Sequence, residues 1–185
     1  NIIVLARLMD SDVVSEMLRK KIVSELGNHK TGQPDYSGFM GMLALYYLGD
    51  FVNISRIVHR YRHDTQPADQ PCPVIAAQLV LQSFSGKASP EASKNMMAFY
   101  RVNGGFAALQ QAPAEDLLST AVALFAFHFI NADIRLIKPA CLSFVDVLYQ
   151  HGGFVATHDD TQPDIEYTFY GMLALGSMQQ DTFVD

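Results

Sequence analysis

The chain has 185 residues, of which 49% are apolar and 17% are charged, and its net charge is −6. This length suits a single domain over residues 1–185 with a large core, and the apolar fraction excludes a disordered chain. The acidic balance argues against a general nucleic-acid binder, which needs a basic face. No apolar stretch approaches the length of a membrane-spanning helix. Two cysteines make no disulfide framework, so we expect a reducing, cytoplasmic compartment.

Apolar residues recur at spacings of three and four along most of the chain, as in amphipathic helices. The first such helix carries Val13, Val14, Met17 and Leu18 and ends near Gly27. Short segments rich in Gly, Pro and polar residues separate the later helices. These are predicted over residues 35–48, 52–62, 71–84, 90–102, 115–130, 136–150 and 164–178. The sequence therefore predicts an all-α protein.

Two short motifs recur at multiples of 48 residues. Gly-Gly-Phe stands at 104–106 and again at 152–154, and Asp-Thr-Gln-Pro at 64–67 recurs 96 residues later at 160–163. A helix pair of this length cannot bury its apolar faces alone, whereas stacked pairs can. We therefore predict repeats, each with an outer helix, a Gly-Gly-Phe turn, a loop ending in Asp and an inner helix. Their approximate bounds are residues 30–63, 64–106, 107–154 and 155–185.

The segment 152–176 carries Gly-Gly-Phe and then Pro-Asp-Ile-Glu-Tyr-Thr-Phe-Tyr-Gly-Met. It resembles the repeat shared by protein prenyltransferase β subunits and squalene/terpene cyclases, and the chain is similar to bacterial proteins of the geranylgeranyl transferase type II β kind. The resemblance covers about residues 30–180. It implies an α/α toroid, in which inner helices surround a central apolar cavity and outer helices pack behind them. A chain of this length would form a partial or small toroid.

The resemblance also bears on metal binding. Zinc-dependent members of the family carry Asp-x-Cys at one inner helix start and His at a later one. The Asp matches Asp116, but Leu118 holds the Cys position and Tyr167 the His position. A zinc site normally needs three protein ligands, so we expect no metal and no cofactor.

Acidic residues mark the predicted starts of inner helices. Asp35, Asp116 and Asp164 begin three of them, with Glu166 close by. On one interpretation they form a polar rim to the cavity, which makes Asp116, Asp164 and Glu166 the catalytic candidates. On the other they are helix caps, a position that Asp favours. The acidic cluster of the cyclases has its nearest match in Asp159-Asp160, with a different spacing.

Aromatic residues on the predicted inner helices suit an isoprenoid chain or a carbocation, which aromatic faces stabilise. From this set and the rim, the candidate substrate-binding residues are Tyr167, Tyr170, Phe127 and Ser119. Tyr36, Phe39 and Phe169 belong to the same aromatic set. The alternative is that these rings simply fill a core.

Four further residues have chemistry of their own. His59 and His63 have a spacing that can bind a metal, but the arginines between them favour a solvated basic patch. Cys141 is expected to be a small apolar core residue. Cys72, between two prolines at an inner helix start, is expected to be more exposed.

Two functions from different classes follow. The first is a prenyltransferase-like or terpene-cyclase-like protein that binds an apolar isoprenoid-type substrate and, if active, acts without the zinc triad. The alternative is a non-catalytic helical-repeat module for protein interaction or self-assembly, because an arc of repeats exposes apolar edges. A homo-oligomer or a partner protein is expected in either case.

Overall fold

The structure, a computed structural model, describes residues 16–28, 41, 43–46, 48–58, 70–84 and 90–179. These residues are mainly helical, with one two-stranded antiparallel sheet, so the predicted helical class is confirmed. No helix among them is long and apolar enough to cross a membrane. The toroid arrangement stays a prediction. Asp35, Tyr36, Phe39, His59 and His63 lie outside the described residues.

Contacts divide the chain into two compact units, residues 1–66 with 84–87, and residues 67–83 with 88–185. The first contains helices α1 (Glu16–Asn28) and α2 (Phe51–Val58). Gly49 has a φ of 68° and ends the helical segment before it, and Asp50 caps α2 by accepting from the Asn53 amide. Arg19 of α1 donates to the Leu48 carbonyl at 3.4 Å, which ties α1 to this turn.

The second unit holds the remaining elements. They are α3 (Cys72–Phe84), α4 (Pro90–Met97), α5 (Leu117–Phe129), α6 (Lys138–Val147), β1 (Tyr149–Gln150), β2 (Gly153–Phe154) and α7 (Ile165–Ser177). Helices α5 and α7 pack against each other. Every residue of α5 from Ser119 to Phe127 is buried, so this helix forms the centre of the core.

Two predicted helices end earlier than expected. The helix predicted over 90–102 ends at Met97, and the one predicted over 136–150 ends at Val147. The reason is that the chain before each Gly-Gly-Phe motif is extended and pairs with it. We call these turns the first hairpin (residues 100–106) and the second hairpin (residues 149–154). Tyr100 bridges to Phe106 in the first hairpin, and Tyr149 pairs with Phe154 in the second.

Each hairpin is fastened to the inner helix that follows it by a threonine hydroxyl. In the first copy, the Phe106 amide donates to Thr120 Oγ1 at 2.8 Å, and this hydroxyl donates to the Asp116 carbonyl at 2.7 Å. The same two bonds recur 48 residues later, at 3.1 and 2.6 Å. The residues of the second copy are Phe154, Thr168 and Asp164. The two helix–hairpin units thus have the same pattern of hydrogen bonds.

The outer helices are equivalent as well, with a separation of 49 residues because the first hairpin is one residue longer. Ala92, Met96 and Phe99 are buried in the first copy. Cys141, Val145 and Leu148 are buried at the matching positions of the second copy. The expected burial of Cys141 is therefore confirmed.

Consecutive repeats are joined through the backbone of the inner helices. The Cys72 amide at the start of α3 donates to the Ala108 carbonyl at 2.8 Å, and the Leu117 amide at the start of α5 donates to the Ala156 carbonyl at 2.9 Å. Ala108 and Ala156 each follow a Gly-Gly-Phe motif by two residues. The first turn of each of these helices is therefore held by the next repeat in the chain.

This pairing corrects the ungapped register of the sequence at α3. Cys72 and Leu117 are equivalent, yet they lie 45 rather than 48 residues apart. Pro71 consequently takes the place of the capping Asp116, and its carbonyl accepts from the Ile75 amide as that of Asp116 accepts from Thr120. The 96-residue register is therefore wrong by three residues at α3, and the Asp-Thr-Gln-Pro motif at 64–67 lies outside the described residues.

Candidate functional site

Asp116 stands at the start of α5 and is partly buried. Its carboxylate accepts from the Ser119 amide and from the Ser119 hydroxyl, both at 2.8 Å. Burial raises the pKa of Asp116 above its ordinary value, and the hydrogen bonds from Ser119 and Leu118 oppose this in part. Asp116 is thus a helix cap, and it is also a carboxyl group whose charge is disfavoured in the folded state.

Tyr167 lies on the first turn of α7, close enough to feel the charge of Asp116. Burial raises the pKa of Tyr167, and the negative charges of Asp116, Glu166, Asp164 and Asp160 raise it further. Asp164 caps α7 through the Tyr167 amide at 2.8 Å, as Asp116 caps α5. The charges of all three predicted catalytic candidates therefore act on one tyrosine, and Asp164 and Glu166 are exposed to solvent.

The other predicted substrate-binding residues lie in packed interior. Ser119 is buried beneath the Asp116 cap. Phe127 is buried with its ring centroid 6.0 Å from that of Phe106, so it faces the first hairpin. Tyr170 is also buried, with its ring 6.3 Å from that of Tyr167. Tyr167 and Tyr170 are brought together, whereas Phe127 packs on the hairpin side of its helix.

Cys72 is fully buried, which corrects the expectation that it is exposed. Its thiol points to the Ser119 carbonyl at 3.7 Å and to the Met96 sulfur at 3.8 Å, because the next repeat packs over the start of α3. Burial and the Asp116 charge together raise the pKa of this thiol far above its usual range. Such a thiol is a poor nucleophile and a poor metal ligand.

No three His, Cys, Asp or Glu side chains come together as a metal site in the part of the chain that the structure describes. Both cysteines are free and buried. The acidic residues that act on Tyr167 stay a predicted polar rim.

A separate apolar groove of about 560 Å³ lies between α6, the second hairpin and α7. Its walls are mostly apolar, with the carboxylate of Asp146 and the hydroxyl-bearing side chains of Ser143 and Tyr149. It is lined by Leu142, Ser143, Val145, Asp146, Tyr149, Phe154, Met172 and Leu175. Phe154 forms its base, where the ring lies directly on Gly171. Sequence reasoning missed this groove.

Part of the groove is open where its counterpart in the first copy is covered. Met172 is 62% exposed, whereas Leu124, which stands 48 residues earlier, is fully buried. A Cβ on Gly104 would collide with the backbone of Ala140 in α6, but a Cβ on Gly152 would meet nothing within 4 Å. The signal that could have located the groove is Met172, an apolar residue at a position whose earlier counterpart belongs to the core.

Comparison of the chain with protein-family models, with curated proteins and with solved structures gives no match. The resemblance to the prenyltransferase and cyclase repeat accordingly stays a prediction. The two candidate sites are the acidic residues that act on Tyr167 and the groove beside Met172.

The raised pKa of Asp116 predicts a specific pH dependence of stability. The folded state holds the Asp116 proton more tightly than the unfolded state, so the free energy of unfolding falls as pH rises from about 4 through the raised pKa. Asp116→Asn and Asp116→Ser keep a capping side chain but cannot ionise. Relative to both variants, the wild type should lose stability between pH 4 and pH 7 in urea unfolding. A difference that stays constant with pH would contradict the assignment.

Proposed function

We propose that the second unit is a helical-repeat module that binds another polypeptide in the groove between α6 and α7. The observation that carries this proposal is the contrast between Leu124, which is buried, and Met172, which is exposed at the equivalent position. Exposed apolar patches of this kind commonly mark interaction sites. The groove also has the few polar groups at its wall that give a binding surface its orientation, Ser143 and Asp146.

The size and composition of the groove favour a polypeptide over a small polar ligand. Leu142, Tyr149 and Met172 are all exposed large apolar side chains. Their neighbours Val145 and Phe154 are buried, so the surface has a buried apolar base and an exposed apolar border. An apolar helix face that lies in such a groove would remove these side chains from water, which supplies the main driving force for association.

This proposal predicts that a displayed library of helical peptides, selected against the full chain, yields peptides whose binding depends on Met172. Met172→Asp should weaken them by at least about tenfold, because a carboxylate in an apolar interface loses its hydration. Ile165→Asp is the matched control. It makes the same kind of change on the same helix, at a side chain that is 90% exposed and not part of the groove. Selected peptides that bind Met172→Asp as well as wild type would contradict the proposal.

A second candidate is the isoprenoid-binding, prenyltransferase-like or cyclase-like function. The observation that favours it is the partly buried Asp116 beside Tyr167, at the adjacent starts of α5 and α7. A carboxyl group whose proton is held more tightly than usual is a suitable general acid. It ranks second because Asp116, Asp164 and Glu166 would repel the diphosphate of an activated isoprenoid.

If this second function is correct, an isoprenoid ligand should raise the melting temperature, because it binds only the folded state. The ligands to use are farnesyl and geranylgeranyl diphosphate and the two corresponding alcohols. Asp116→Asn should reduce the shift that any active ligand produces. No shift with any of the four compounds would count against an isoprenoid site.

A further inference from the structure

In the first copy of the repeat, an outer helix packs on the glycines of the hairpin. Helix α6 is seated on the first hairpin, where the Ala140 carbonyl and the Cys141 amide lie against Gly104. One turn further along, the Phe144 ring lies over Gly105, with its tip 2.9 Å from where a Cβ would be. Gly104 and Gly105 therefore form a surface, which we call the glycine bed, on which an outer helix can approach the hairpin backbone closely.

The second hairpin has the same two glycines, and Gly152 is exposed where Gly104 is buried. Gly152 has a φ of 89°, close to the 99° of Gly104, although the second turn is one residue shorter and also has a positive φ of 50° at His151. The three atoms nearest to a Cβ on Gly153 belong to Thr168 and Pro163, whereas those nearest to a Cβ on Gly105 include the tip of the Phe144 ring. Among the described residues, nothing takes the place that α6 takes on the first hairpin.

Building on the proposed polypeptide-binding function, we propose that the groove takes an amphipathic helix of the same design as α6. Such a helix places a small residue over Gly152 and an aromatic ring over Gly153, and its next apolar residues reach Met172. In α6 the first two roles belong to Ala140 and Phe144, and the buried apolar residues that follow are Val145 and Leu148. The partner is therefore a protein segment with the pattern small, small, two variable residues, aromatic, apolar.

The charge of the groove adds one requirement to the partner. Asp146 lines the groove and is exposed, and the hairpin and loop beside it contribute no Lys or Arg from residue 149 to residue 164. A partner helix with a Lys or Arg that reaches this wall gains a favourable pairing, while an acidic side chain at that point is repelled. Charge pairing with Asp146 therefore contributes to specificity for one partner helix over others.

The test uses the segment that already performs this role. The probe is a fluorescent peptide of residues 138–150 with Cys141 replaced by Ala. A hydrocarbon staple between the exposed positions 139 and 143 keeps it helical, because so short a segment would not form a stable helix alone. Fluorescence anisotropy with the full chain should show saturable binding. Met172→Asp should weaken it by at least about tenfold, and Ile165→Asp should leave it unchanged. A peptide that also carries Phe144→Asp should not bind.

Several results would overturn the inference. Absence of saturable binding would do so, as would binding that Met172→Asp leaves intact, since the peptide would then sit on another surface. If displayed peptides of a different pattern bind through Met172 while the 138–150 peptide does not, the polypeptide-binding function holds and the α6-like partner is wrong. Self-association of the chain that Met172→Asp abolishes, without binding of the peptide, would assign the groove to a second copy and also overturn it.

Discussion

The hydroxyl of Thr120 is the contact on which the architecture of the second unit depends. It accepts from the Phe106 amide and donates to the Asp116 carbonyl, so a single buried oxygen joins the Gly-Gly-Phe hairpin to the first turn of the inner helix. A buried amide without a partner is costly. The Thr120 hydroxyl is the hydrogen-bond partner of the Phe106 amide. Thr168 makes the same pair of bonds in the second copy, between the second hairpin and the first turn of α7.

Contacts of the hairpins join one repeat to the next. The glycine bed of the first hairpin faces α6, and the amide of Leu117 reaches forward to the Ala156 carbonyl. Each copy therefore depends on the next for part of its burial and for one backbone hydrogen bond, as in other helical-repeat arrays. The copy that contains α7 has the same bed and the same apolar face, with Met172 exposed. The groove follows from repeat geometry, and no special feature of its residues is needed to explain it.

The sequence predicts the parts of this arrangement that are local. The Gly-Gly-Phe motif, the two capping aspartates and the inner helices at 115–130 and 164–178 can all be read from it, because each depends on residues within one repeat. The three-residue shift at α3 cannot, since Pro71 replaces the capping Asp and no side chain marks the register there. The burial of Cys72 and the exposure of Met172 also escape sequence reasoning, because each depends on whether another repeat lies over the residue.

The seating of an outer helix on a glycine bed is tested most directly by comparing Gly104→Ala with Gly152→Ala. Both substitutions impose a positive φ on alanine, which costs about 1–2 kcal/mol. Only Gly104→Ala also drives a Cβ into the backbone of α6, which adds an overpacking cost of about 1–3 kcal/mol. Urea unfolding of the full chain should show Gly104→Ala as the more destabilised of the two by that margin. Equal losses of unfolding free energy would mean that α6 does not pack on the glycines of the first hairpin. The proposed helix-binding surface beside Met172 would then lose its basis.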